Sequence, residues 1–134
     1  PADQQQALAD YGLHLGIAFQ LVDDALDYDA NNKEIGKNIG DDLAEGKPTL
    51  PLIQAMKKSN EANRQRLMDI VENGGLDQID FVMQTIAETH AITYTQQIAR
   101  NEAELAKQAL SCLPDTPYRQ ALADLADFSV ARTN

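Results

Sequence analysis

Apolar residues recur every three or four positions along almost the whole chain, which is the period of a helix face and not the alternation of a strand. From about Asp3 to Tyr28 the recurrence Leu8, Tyr11, Leu15, Phe19, Val22, Leu26 predicts one long helix with those side chains inward. Gly12 and Gly16 inside it each cost about 1 kcal/mol against alanine, so they point to close approach by another helix or a ligand. Asp29 to Lys47 is polar, punctuated by Asn31, Asn32, Gly36, Gly40 and Gly46, and reads as a long loop. Thr49 to Lys58 then reads as a short helix with Leu50, Ile53 and Met56 inward and Pro51 tolerated in its first turn. Asn60 to Val71 reads as another, ended by Asn73-Gly74-Gly75. Leu76 to about Ala87 repeats the period through Ile79, Val82, Met83 and Ile86. A further helix from near Thr89 to Leu113 carries Ile92, Ile98, Leu105 and Leu110, with Glu104 and Gln108 outward. Pro114 stops it, and Pro117 opens a last helix to about Arg132 with Leu122, Leu125 and Phe128 inward. No segment alternates as a strand and no repeat is visible, so the predicted class is all-α, with residues 1–134 as one domain.

Bulk properties narrow the function by exclusion. A net charge of -10 argues against a nucleic-acid partner, because phosphate backbones are met by lysine and arginine clusters. The single cysteine, Cys112, excludes an internal disulfide framework and a thiolate zinc site, and fits a reducing compartment, by default the cytoplasm. No apolar run approaches the roughly 20 residues that span a bilayer. The chain opens on Pro1 and not on Met, which suggests a processed product or a piece of something longer.

The candidate chemistry lies at the end of the first helix. On a helix, Asp23 and Asp27 are four apart and Asp24 and Asp27 three apart, so three carboxylates share about one turn of surface. Like charges at that spacing repel by about 0.2–0.5 kcal/mol per pair, and the helix C-terminus disfavours anions further. No Lys or Arg occurs from Pro1 to Asn32, so a divalent cation is the natural compensation. Mg²⁺ fits, because it takes one or two carboxylates and completes its shell with water and phosphate oxygens. The plainer alternative is a solvated acidic helix end. His14 stands with no second histidine nearby and is assigned no role.

Two other templates fail in the polar stretch. Asp27, Asp29 and Asn31 suit the start of a calcium-binding EF-hand loop, but Asn32 stands where that loop needs glycine and Asn38 where it needs glutamate. Gly40 to Thr49 approaches a nucleotide P-loop, yet five residues separate its glycines and Pro48 divides Lys47 from Thr49. What survives is Gly46-Lys47-Pro48 at a helix start, where a lysine beside free backbone N–H groups can meet an anion. Lys37 and Lys47 thus flank the acidic cluster with positive charge, although an exposed surface lysine is the commoner state of either.

The stretch GIAFQLVDDALDYD followed by IGKNIGDDLAEGKPTLPLI resembles the C-terminal half of the trans-isoprenyl diphosphate synthases, most nearly the bacterial octaprenyl diphosphate synthases. The resemblance covers nearly the whole chain. It implies helices of the isoprenoid synthase fold, a bundle around a central cavity where two aspartate-rich motifs bind Mg²⁺ ions and the diphosphates of two substrates. Asp23, Asp24 and Asp27 match the second motif, with Asp23 the direct metal ligand and the others acting largely through water. Lys37 and Lys47 match positions that contact diphosphate. Phe19 and Gln20 match residues beside the reacting isoprenoid, the Gln20 amide facing the allylic region. Gln20, Lys37 and Asp23 are the expected catalytic set, with isopentenyl diphosphate and allylic prenyl diphosphates as substrates. The resemblance further implies a long-chain product for quinone side chains, a homodimer, and product release beside a membrane.

One departure is plain. The first aspartate-rich motif and the arginines that follow it are absent, and Asp41-Asp42 is no substitute because it lies within the second motif's own loop. The expectation is therefore a segment that begins partway through such an enzyme. The competing readings are a non-catalytic helical partner subunit and a simple metal-binding module, the latter disfavoured by the failed EF-hand positions.

Overall fold

The structure, a computed structural model, describes residues 2–28, 43, 46–74 and 76–131. Six α-helices follow in order: α1 Ala2–Leu26, α2 Leu50–Lys58, α3 Glu61–Asn73, α4 Ile79–Glu88, α5 Ala91–Ala109 and α6 Pro117–Ala131. Short 3-10 turns, Leu76–Gln78 and Leu110–Cys112, precede α4 and extend α5. No strand occurs among the described residues, and the class is all-α. Helix order and limits follow the sequence expectation closely, because the stop and start signals are strong. Asn60 caps α3, its side chain accepting the Asn63 N–H at 2.8 Å. A Pro51 in the first turn of α2 lacks only an N–H that a helix start leaves unused.

The chain divides into two compact units, Pro1–Val22 with Gln96–Thr133, and Asp23–Thr95. In the first, α1, α5 and α6 meet at Tyr11, Ala106, Leu110 and Ala126, with Leu15, Ala109, Leu113 and Leu122 packed around them. Three polar ties cross these helices. The buried Tyr11 hydroxyl donates to the Leu122 carbonyl at 2.7 Å, His14 Nδ1 meets Glu102 Oε2 at 2.5 Å, and Lys107 Nζ donates to Asp127 Oδ1 at 2.9 Å. The second unit is built on Tyr28, Leu43, Leu52, Ala55, Leu67, Ile70, Val82, Ile86 and Ala91. Arg66 stacks over the Phe81 ring at 3.8 Å, a cation–π contact at its surface.

Which side chains turn inward differs from the expectation on four helices. On α1 the buried row is Ala7, Tyr11, Ala18, Val22 and Ala25, while Leu8 is 48% and Phe19 47% exposed. On α2, Pro51, Leu52, Gln54 and Ala55 are buried and Ile53 is exposed. On α5 and the 3-10 turn that extends it, Ala91, Thr95, Ala99, Ala103, Ala106 and Leu110 are buried and Leu105 is exposed. On α6, Ala126 and Ser129 are buried, while Leu125 and Phe128 are exposed. The cause is size: small residues take the inward rows and let backbones approach, so the largest apolar residues do not mark the packed face. Gly12 and Gly16 play no part in this, since a Cβ on either would meet nothing within 4 Å.

Two expected outcomes test this packing. Leu8→Ala should leave unfolding free energy within about 0.5 kcal/mol of the parent, whereas Ala18→Leu should lower it by about 1–3 kcal/mol through overpacking, both read from urea denaturation. Burial holds the Tyr11 phenol above the ordinary tyrosine value of 10.0. The neutral phenol is therefore the form the fold favours, and its contribution is complete below that value and lost as pH rises through the folded one. Tyr11→Phe should cost about 1 kcal/mol at neutral pH by removing the hydrogen bond, and the gap between the two proteins should close on titrating above 10.0.

Candidate functional site

Helix α1 runs without a break to Leu26, and its turn carries on past the last helical residue. The Asp27 N–H donates to the Asp23 carbonyl at 3.0 Å, and the Tyr28 N–H to the Ala25 carbonyl at 3.2 Å. These bonds keep Asp23, Asp24 and Asp27 on one closed turn, as their spacing requires. Tyr28, next along, is buried in the core of the second unit and anchors the end of that turn. Asp23 is half-buried, Asp24 is 7% exposed and Asp27 is 3% exposed. A solvated acidic helix end does not describe Asp24 and Asp27. Carboxylates are kept buried where they are hydrogen-bonded, paired or metal-bound.

The second stretch that the sequence singled out is a turn that leads into α2. Leu43 is helical and fully buried, which makes it an apolar anchor inside the stretch expected to be a polar loop. Its carbonyl accepts the Gly46 N–H at 3.0 Å, and Gly46 has φ +74°, a left-handed conformation that favours glycine. Lys47 follows, exposed, and then Thr49 as the N-cap of α2. Thr49 makes no side-chain cap bond, and its Oγ1 is buried with no hydrogen-bond partner among the described residues. An orphaned hydroxyl beside a lysine at a helix N-terminus is a donor set suited to an oxyanion. The roles of Leu43 and Thr49 were missed in the sequence. Leu43 had a faint signal as an apolar residue set between acidic ones, and Thr49 as the residue that closes Gly46-Lys47-Pro48-Thr49.

Phe19 and Gln20 are exposed on α1, four and three residues before Asp23. Lys37 lies outside the described residues, as do Asp41, Asp42 and the EF-hand positions beyond Tyr28. Among the described residues, no three metal-ligating side chains converge on one point.

Residues 1–89 match the Polyprenyl synthetase family. The chain belongs to the polyprenyl synthetase family. Octaprenyl diphosphate synthase of Haemophilus influenzae is 48% identical over 130 residues, covering 96% of this chain and 40% of that protein. The Escherichia coli enzyme of the same name is 44% identical over 131 residues, covering 97% and 41%. Among solved structures, a decaprenyl diphosphate synthase from Rhodobacter capsulatus superposes with TM-score 0.89 at 43% identity, covering 100% of this chain and 42% of that one. A polyprenyl synthase from Caulobacter crescentus, complexed with calcium and isoprenyl diphosphate, gives 0.88 at 38%, with the same coverage. The chain thus spans about 40% of the length of the curated relatives it matches. Asp23, Asp24, Asp27, Lys47 and Thr49 all fall within the part that matches the polyprenyl synthetase family.

If the Thr49 hydroxyl is kept for a ligand, it is a burden on the free protein. Thr49→Val should raise stability by about 1–3 kcal/mol in thermal or urea unfolding, because it replaces an unsatisfied buried hydroxyl with a methyl of similar shape.

Proposed function

We propose that this chain is the part of a long-chain trans-prenyl diphosphate synthase that carries the second aspartate-rich motif, in an enzyme that extends an allylic diphosphate with isopentenyl diphosphate. The observation that carries the reading is the closed turn that holds Asp23, Asp24 and Asp27 together, two of them buried. The names of the relatives support it, as does the isoprenyl diphosphate in the Caulobacter structure. The residues present fit Mg²⁺ in kind, being oxygen donors only.

In this reading Asp23 would hold Mg²⁺ directly, with Asp24 and Asp27 acting largely through bound waters. Bound Mg²⁺ supplies positive charge that stabilises the diphosphate leaving group as it forms. Lys37 and Lys47 hold diphosphate oxygens, and the Thr49 hydroxyl donates to one of them. Phe19 lies beside the isoprenoid, and the Gln20 amide faces the allylic carbon. The allylic C–O bond breaks to give a carbocation and diphosphate, the alkene of isopentenyl diphosphate adds to the cation to form the new C–C bond, and a proton is lost to restore a double bond. The residues' task is to hold charge and orientation, so no nucleophilic side chain is needed.

The same proposal includes an octaprenyl product for quinone side chains, a cytoplasmic homodimer that releases product beside a membrane, and residues 1–134 as part of one larger helical domain. No helix among the described residues is long and apolar enough to cross a membrane.

Calorimetric titration of the chain with isopentenyl diphosphate should show binding that depends on Mg²⁺. Asp23→Ala should weaken it at least tenfold with unchanged helical circular dichroism, and Lys47→Ala should weaken it without altering the Mg²⁺ requirement. Binding that is indifferent to Mg²⁺ and to Asp23 would sink the assignment.

A further inference from the structure

We infer that His14 and Glu102 are a positioning pair for the proposed site, their hydrogen bond setting the rotation of α1 in the first unit and so the direction in which Phe19 and Gln20 present to an allylic ligand. The inference rests on the proposed function, which gives Phe19 and Gln20 their place beside the isoprenoid. All four residues belong to the first unit. His14 Nδ1 lies 2.5 Å from Glu102 Oε2, and because an ionised carboxylate only accepts, the imidazole N–H is the donor. The two side chains are 27% and 21% exposed, so the bond is partly shielded from the water that weakens surface pairs.

Packing alone holds the rotation of α1 loosely. Its inward row in this unit is Ala7, Tyr11, Ala18 and Val22, and the alanine methyls in that row give a neighbouring helix little ridge to grip. The positions of Gly12 and Gly16 supply no steric stop, since a Cβ at either would meet nothing within 4 Å. Rotation is therefore left largely to polar ties. The Tyr11 hydroxyl reaches Leu122 on α6 at 2.7 Å and His14 reaches Glu102 on α5, so one tie runs to each of the two helices packed with α1. The His14 tie is the nearer to the proposed site. Gln20 follows six residues later on the same unbroken helix, about 9 Å along its axis at about 1.5 Å per residue.

A side-chain tip stands about 5–6 Å from a helix axis, so a turn of about 10° in α1 carries it about 1 Å. A misplacement of about 1 Å in a positioning group can cost on the order of 100-fold in rate. One interhelical hydrogen bond is thus enough to matter. A purely structural tie would add stability and leave selectivity between ligands untouched.

The test is calorimetric titration of this chain, with Mg²⁺ present, against dimethylallyl diphosphate and separately against inorganic diphosphate. The ratio of the two affinities reads contacts to the allylic group, while inorganic diphosphate alone reads the aspartate and lysine side. The parent should prefer the allylic ligand. His14→Ala and Glu102→Ala should each lose about fivefold of that preference, with inorganic diphosphate affinity and helical circular dichroism unchanged. Alanine is the better helix former at both positions, so neither variant weakens α1 or α5 from within. His14→Arg, which keeps a donor toward Glu102, should recover most of the preference. Lys107→Ala, which cuts the tie from α5 to Asp127 on α6 and leaves α1 alone, should not change it. Preference retained in both alanine variants, preference lost equally in Lys107→Ala, no recovery in His14→Arg, or inorganic diphosphate affinity lost along with the preference would each overturn the inference and leave the proposed function standing. A parent chain that binds inorganic diphosphate without preferring the allylic ligand, or that binds neither, refutes the proposed function and the inference with it.

Discussion

The two long helices carry their inward rows mainly on alanine, at Ala7, Ala18 and Ala25 of α1 and at Ala91, Ala99, Ala103 and Ala106 of α5. Alanine buries little area, so such a row contributes less by transfer from water than a leucine row would. Its effect is on distance: helices that meet through methyl groups come close, and polar ties between them become short and specific. In the first unit the Tyr11 hydroxyl reaches a backbone carbonyl on α6 at 2.7 Å, and His14 reaches Glu102 on α5 at 2.5 Å. Ties of that length hold α1 in one rotation, and the rotation decides which face Phe19 and Gln20 present.

The same constraint explains what was legible in the sequence. Helix number, order and limits were readable to within a few residues, because Asn60, Pro114, Pro117 and the Asn73-Gly74-Gly75 run act locally and need no tertiary partner. The inward faces of α1, α2, α5 and α6 were legible only in part: Tyr11, Val22 and Leu110 are buried as expected, but a period drawn through the largest apolar residues assumes that size marks burial. Leu8, Phe19, Ile53, Leu105, Leu125 and Phe128 obey the helical period and still stand in water. On α4, where no alanine row competes, Val82 and Ile86 were placed correctly.

The carboxylate turn was legible for a different reason. Spacing of three and four along a helix is a statement about backbone alone, and the Asp27 N–H to Asp23 carbonyl bond realises it even beyond the last helical residue. Burial of Asp24 and Asp27 was not in the spacing. It comes from Ala25 and Tyr28, which are buried and draw the turn inward with them. The Lys47 side was half visible: the glycine, lysine and proline mark a helix start, but the anchor Leu43 looked like a stray apolar residue in a loop, and the orphaned hydroxyl of Thr49 has no sequence signature.

These features together set stability against function in one small region. The unsatisfied hydroxyl of Thr49 costs the free protein something and does not improve the packing of its core. A fold selected for stability alone would replace Thr49 by valine. The aspartate turn and Thr49 belong to the same unit, one segment held by the buried Tyr28 and the other by the buried Leu43, and donors fixed by such anchors before binding need no reorganisation when a charge arrives, which is the advantage the proposed site would draw on.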